Sequence, residues 1–194
     1  MTRLYYKLLN RLLFNRPRYG NRLRPLFRPL RRLIPNPAVR WQNGMRLRPV
    51  VDHKFWVSRC AKGVHEPSLD LLLSHCLRPG DTVLDAGAQI GITVVMEAQR
   101  VAPDGQVHAF EPNAENFALL HDCLKTNGVT NVVCNAVALG EKPGSAVFAV
   151  EAFSGFIQRA DAREDGVEVP VTTLDQYVKD HAIARVDFVK IDVD

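Results

Sequence analysis

"TVLDAGAQIG", residues 82–91, decides how the rest of the chain reads. Val83, Leu84 and Ala86 suit a short buried strand, Asp85 sits near its end, and Gly87 and Gly91 frame a turn into a helix. This layout is shared by sites for two cofactors of opposite charge. A dinucleotide fingerprint needs G-x-G-x-x-G, because its second glycine lets the backbone approach a pyrophosphate. Here Gln89 occupies that place, and Asp85 would repel a doubly negative group. A ligand with sulfonium and ammonium groups reverses the sign. Asp85 then favours the cationic end, the Gly87 to Gly91 turn admits the ligand closely, and the helix N-terminus beyond Gly91 receives a carboxylate. S-adenosylmethionine is such a ligand.

The flanking sequence alternates between strand and helix signals, which points to an α/β sheet. "EPSLDLLLSHCLRPGD" reads as a helix with Leu69, Leu72, Leu73, Cys76 and Leu77 on one face, stopped by Arg78-Pro79-Gly80. After "TVLDA", the helix "GITVVMEAQRVA" ends before Pro103-Asp104-Gly105, and "QVHAFE" is the second strand. Pro112 and Asn113 open a helix carrying Phe117, Leu120 and Leu124, which Asn127-Gly128 terminates. "NVVCNAVAL" is a third strand. Residues 144–171 read as a strand, an irregular stretch and another strand. "TTLDQYVKDH" is a short helix, and "VDFVKIDVD" runs as a strand to the last residue. This order implies right-handed crossovers and a mostly parallel sheet with ligands at the strands' carboxyl ends. Asp85, Glu111 and Asp192 close three of those strands. Glu111, at the end of the second, is placed to accept both ribose hydroxyls of the cofactor.

The segments "GVHEPSLDLLLSHCLRPGDTVLDAGAQIG", "HAFEPNAENFALL", "NAVALGEKPG", "VPVTTLDQYV" and "VDFVKIDVD", in that order and spacing, resemble the FkbM family of S-adenosylmethionine-dependent methyltransferases. The resemblance covers roughly residues 60 to 194. It implies a Rossmann-like methyltransferase sheet and methylation of a hydroxyl on a sugar or other small metabolite. The family loop usually reads D-x-G-A-N-x-G, and Gln89 keeps the amide of the Asn while lengthening its reach. Glu66 falls where the family often carries an acid before the first helix, and would line the cofactor pocket; an acid at a helix N-terminus explains it equally well. The family strand continues from K-I-D-V-E-G into further helices and about three more strands. This sequence has Asp194 at the Glu position and then ends. The resemblance therefore implies a sheet truncated after its fourth core strand, with an uncovered apolar edge suited to self-association. A fragment, a truncated gene product and a chain completed by a partner are all open readings.

Methyl transfer is chiefly a matter of positioning an acceptor oxygen, supplemented by a base for its proton. Along "FVKIDVD", Lys190, Asp192 and Asp194 share one parity, which places Asp192 near the acceptor with Asp194 just beyond. Asp192 is the candidate base, though it could merely cap the strand. Two carboxylates this close suit a divalent cation, but no third ligand accompanies them, so no metal is expected.

Charge divides the 194 residues unevenly. Thirteen basic residues precede the first acid, Asp52, and the twelve that remain after residue 48 face all 21 acids, leaving a body of net charge −9. Residues 1–48 are read as a basic arm and 49–194 as the cofactor-binding domain. In "MTRLYYKLLNRLLF", Leu4, Tyr5, Leu8, Leu9, Leu12 and Leu13 repeat at helical spacing opposite Arg3, Lys7, Asn10 and Arg11, an arrangement that could lie on an anionic bilayer. A helix packed on its own domain is the equal alternative. Beyond it, Pro17, Pro25, Pro29, Pro35 and Pro37 rule out a long helix and favour an extended basic linker. No specific nucleic-acid reader is expected, because arginine-rich arms bind phosphate without reading sequence. The four cysteines form no CxxC pair, consistent with a reducing cytoplasmic setting; the basic arm would add peripheral contact at the inner face of the membrane. Besides the methyltransferase, two readings remain: a catalytically silent protein of the same fold acting as a binding or membrane-surface module, and a nicotinamide oxidoreductase, which Gln89 argues against.

Overall fold

A computed structural model describes residues 2–13, 37–41, 44–48, 62, 66–151, 154–158 and 166–193. The chain forms two compact units, Met1–Leu69 and Asp70–Asp194. In the first, helix α1 (Thr2–Leu13) accompanies a two-stranded antiparallel ribbon, β1 (Val39–Arg40) with β2 (Arg46–Leu47). Tyr6 is fully buried and its hydroxyl donates to the Pro37 carbonyl at 2.8 Å. Arg3 donates to the Arg40 carbonyl at 3.0 Å. Val39, Trp41, Met45 and Leu47 complete this small core, while Leu4 and Leu8 stay exposed. The proline-broken linker expected beyond α1 lies, up to residue 36, outside the described residues. Among the described residues no helix is long and apolar enough to cross a membrane.

Helix α2 (Pro67–Cys76) leads into the second unit. Of the face expected to be apolar, Leu73 and Leu77 are buried, whereas Leu72 and Cys76 are exposed. Spacing alone gave too wide a stripe, because adjacent leucines 71–73 point in three directions around a helix.

The central sheet contains β3 (Thr82–Ala86), β4 (Gln106–Phe110), β5 (Val132–Asn135) and β10 (Phe188–Ile191), in the order β10-β3-β4-β5, with every neighbour parallel. Val83 to Ala86 are all buried, as a strand covered on both faces requires. Helix α3 (Ile92–Val101) connects β3 to β4 and buries seven of its ten side chains. Helix α4 (Ala114–Asn127) connects β4 to β5; Asn113 caps it by accepting from the amides of Glu115 and Asn116, and left-handed Gly128 ends it. Helix α5 (Leu174–Asp180) covers the face bearing Leu84 and Phe110, where Tyr177 packs edge-on against Phe110 and bonds His108 Nδ1 at 2.9 Å.

The third expected strand is in fact two. β5 pairs with β4 as far as Asn135, whose side-chain amide donates to the Ala109 and Val133 carbonyls; the chain then leaves the sheet and forms β6 (Ala138–Leu139) in another. That second sheet has the order β6-β9-β7-β8, built from β7 (Gly144–Glu151), β8 (Ser154–Gln158) and β9 (Gly166–Thr172). β7 runs antiparallel to both its neighbours. Part of the stretch expected to be irregular is thus a strand. The final strand is also shorter than expected, pairing with β3 over Phe188–Ile191 only.

Candidate functional site

The carboxyl ends of β3, β4 and β10 converge on the loop from Gly87 to Gly91. Gly87 and Ala88 both donate to the Phe110 carbonyl, at 3.1 and 3.0 Å, which ties the loop to the end of β4. Gly87, Gln89 and Gly91 all have positive φ, +84°, +47° and +86°. For Gln89 that conformation is costly, and it is tolerated better by Asn, the family's usual residue there.

The glycines also let the chain approach itself closely. A Cβ on Gly87 would lie 2.1 Å from the Asp192 carbonyl oxygen, and one on Gly91 would lie 2.6 Å from Leu120 Cδ1. The close approaches they permit are therefore of β10 and of α4. Gly91 is also the N-cap of α3 and offers no side-chain acceptor, so the first-turn amides of that helix have no side-chain cap from it.

Glu111 is 4% exposed and acts as a clamp. Its Oε2 accepts from the Gln89 amide at 2.8 Å and its Oε1 from the Asn113 amide at 2.9 Å, with Asn116 Nδ2 at 3.5 Å from Oε1. Burial pushes this carboxyl up, and those three donors pull it back. A carboxylate has about four lone-pair sites, so acceptor capacity remains on a residue that already fixes the loop.

Asp85 is fully buried, and its Oδ1 accepts from Lys190 Nζ at 2.9 Å. Its charge is thus matched by the neighbouring strand through one oxygen, while Oδ2 has no hydrogen-bond partner. Register explains the pairing: Lys190 lies opposite Asp85 in the parallel ladder, on the same face. Burial alone would lower the Lys190 ammonium, but Asp85, Asp192 and Glu97 together raise it. Lys190 Nζ also donates to the Gly87 carbonyl at 3.3 Å, and lies 3.7 Å from Asp192 Oδ2. The Asp192 carboxyl is exposed at the rim, while its amide donates to the Ala86 carbonyl at 3.0 Å.

The structure therefore brings Asp85, Gly87 and Asp192 together around Lys190, and Gln89 together with Glu111. Glu66, with φ +41°, immediately precedes α2 and belongs to the first unit. Asp194 lies outside the described residues. Two participants were missed as site residues. Lys190 carries only a parity signal in the sequence, and its partner emerges only from strand order. Glu97, buried on α3, read as one more helical position and carried no motif signal. A cavity of about 640 Å³ lies between α5 and β10, lined chiefly by Leu84, Leu174, Val178, Ile183 and Val189. It opens on the face away from Asp85 and contains none of the expected site residues.

The donor set fits S-adenosylmethionine: a buried carboxylate with spare acceptor capacity suits a diol, and an uncapped helix N-terminus suits a carboxylate.

Among known families, the one described as "Methyltransferase FkbM domain" matches residues 85–194. Among solved structures, a SAM-dependent O-methyltransferase from Thermotoga maritima is 23% identical, covering 38% of this chain and 28% of its own length, with a TM-score of 0.36. A SAM-dependent methyltransferase from Aquifex aeolicus is 23% identical over 39% of this chain and 42% of its own, with a TM-score of 0.34. Aeropyrum pernix fibrillarin, solved with natively bound S-adenosyl-L-methionine, is 18% identical over 37% of this chain and 31% of its own, with a TM-score of 0.32. The chain thus spans less than half the length of each.

Proposed function

This chain belongs to the FkbM methyltransferase family, whose methyl donor is S-adenosylmethionine, and on that premise we propose that it methylates a hydroxyl oxygen of a sugar or other small metabolite. The observation that carries the reading is the Glu111 clamp. One carboxylate holds the loop after β3 and the turn after β4 while retaining acceptor sites for the cofactor's ribose. The cofactor supplies an electrophilic methyl on a positively charged sulfur. The chain's residues do the rest: Glu111 and the amides opening α3 hold the ligand's polar ends, and Lys190 fixes the loop from below. Asp192, at the exposed rim, takes the proton released as the acceptor oxygen forms its new bond to carbon.

The experiment is methyl transfer from radiolabelled S-adenosylmethionine to a panel of hydroxyl-bearing sugars and small metabolites, with Asp192→Asn as comparison. Turnover that falls about 100-fold or more in the variant, with S-adenosylhomocysteine affinity preserved, supports the base role. Unaltered turnover removes it. Binding of the cofactor without transfer to any hydroxyl acceptor would favour the catalytically silent module.

The first unit supports a second element of the proposal, peripheral attachment to an anionic membrane at its cytoplasmic face. Tyr6 anchors α1 to its own unit, while Leu4 and Leu8 remain exposed beside Lys7. The two readings of the arm are thus compatible, since different faces of one helix serve them.

A further inference from the structure

Beneath the cofactor loop lies a group that the proposed reaction does not use. Glu97, on the inner face of α3, is fully buried, and neither of its carboxyl oxygens has a hydrogen-bond partner. It faces Asp85, whose Oδ2 is likewise buried and unpartnered. Unpartnered carboxyl oxygens facing one another would be untenable with both groups as anions in an apolar site. One proton shared between the two groups pairs Asp85 Oδ2 with one oxygen of Glu97. Asp85 is committed to Lys190 through Oδ1, so the proton belongs on Glu97.

We propose that Glu97 is a positioning residue of the cofactor loop, a neutral carboxyl whose O–H donates to Asp85 Oδ2. Through that bond Asp85 keeps its charge and orientation for Lys190, and Lys190 in turn holds the Gly87 carbonyl. The chain Glu97, Asp85, Lys190, Gly87 runs from the middle of a buried helix to the turn that receives the ligand. One cation, one anion and one neutral acid also make the buried cluster electrically neutral. Burial and the adjacent Asp85 charge push the Glu97 carboxyl up to about 10, with Lys190 and Arg100 opposing them, so the proton is retained across the neutral range. Burial pushes the Asp85 carboxyl up, and Asp192, exposed at the rim and 3.7 Å from Lys190 Nζ, adds a negative charge that acts in the same direction. The inference concerns the site on which the proposed function rests, but it can be tested without cofactor.

The test uses the full 194-residue chain with carbon-13-labelled glutamate. A carboxyl signal absent from Glu97→Gln that remains protonated throughout the neutral range is expected; titration near the ordinary value of about 4.3 would overturn the proposal. Two variants then separate positioning from packing. Glu97→Gln keeps a donor for Asp85 Oδ2, and Glu97→Met fills similar space without one. The amide resonances of Gly87 and Gln89, read without ligand, should be native-like in the Gln variant and displaced in the Met variant. S-adenosylhomocysteine affinity should change less than about twofold in the first and fall about tenfold in the second. Equal behaviour of two folded variants would refute the inference. Should Glu97→Met not fold, the titration of the native chain decides; if the native chain binds no S-adenosylhomocysteine, the titration and the amide resonances decide, and only the functional reading fails.

Discussion

Gly87 shows how a position of close approach can be marked in the sequence while one of its partners is not. The sequence marks it as a place of close approach, and one group that approaches is the Asp192 carbonyl, just past the end of β10 and about a hundred residues later. Replacing it by Ala should therefore cost more than left-handed strain alone. Gly128 is the control, with φ +66° and nothing within 4 Å of an added Cβ. Gly128→Ala should lose about 1 kcal/mol in urea unfolding, and Gly87→Ala about 1–3 kcal/mol beyond that. Equal losses would mean that β10 does not seat on the loop as described. Glu97 makes the complementary point, because nothing in "VVMEAQ" distinguishes a solvated helical acid from a buried one. Its raised pKa means that the folded chain binds one more proton than the unfolded chain between about pH 4.5 and 10. That contribution to stability is fully present below the unfolded value and is lost as pH rises through the folded one. Glu97→Gln should remove the decline, flattening the stability profile by up to about 1.4 kcal/mol per pH unit relative to the native chain. Parallel profiles would contradict a buried proton.

At the scale of elements, the first half of the second unit was legible because each signal there is local. Asn113 and Gly128 bound α4 by hydrogen bonds to nearby backbone, and two glycines punctuate the turn after β3. What escaped depends on partners distant in sequence. The exit of the chain after Asn135 depends on where β4 ends, and β8 exists because β7 pairs with it. The Asp85–Lys190 pair requires knowing that β10 lies beside β3, which no periodicity reports. Strand β10 also has a consequence of its own. Among the described residues it pairs with β3 alone, Val189 and Ile191 are exposed along it, and Val193 is exposed just beyond its end. Apolar edges of this kind promote pairing with another chain. Ile191→Lys is expected to reduce self-association in sedimentation velocity while leaving thermal unfolding within about 0.5 kcal/mol of native. Unchanged sedimentation would show that this edge is not a contact between copies.

At the scale of the whole molecule, charge divides the sequence near residue 48, within the first of the two compact units. An acidic body carries the cofactor residues, and an arm free of acids before Asp52 carries thirteen positive charges. The arm's character is legible from composition, because attraction to an anionic surface depends on charge and exposed apolar area more than on detailed packing. The full chain should co-sediment with vesicles containing phosphatidylserine at low salt and be released as salt rises; Leu4→Ser/Leu8→Ser should weaken retention severalfold. Retention that ignores both salt and these leucines would refute the membrane role. For the body, family and fold were legible because five ordered motifs span it, while the division of labour among its acids was not. Asp85 pairs with Lys190, and Glu111 accepts from the amides of Gln89 and Asn113. The most direct test of this account is calorimetric titration of the 194-residue chain with S-adenosylhomocysteine, beside Glu111→Gln and an NADH titration. Saturable binding of S-adenosylhomocysteine, weakened at least about tenfold in the variant and absent for NADH, is the predicted result. No binding by the folded chain, or affinity indifferent to Glu111, would contradict it.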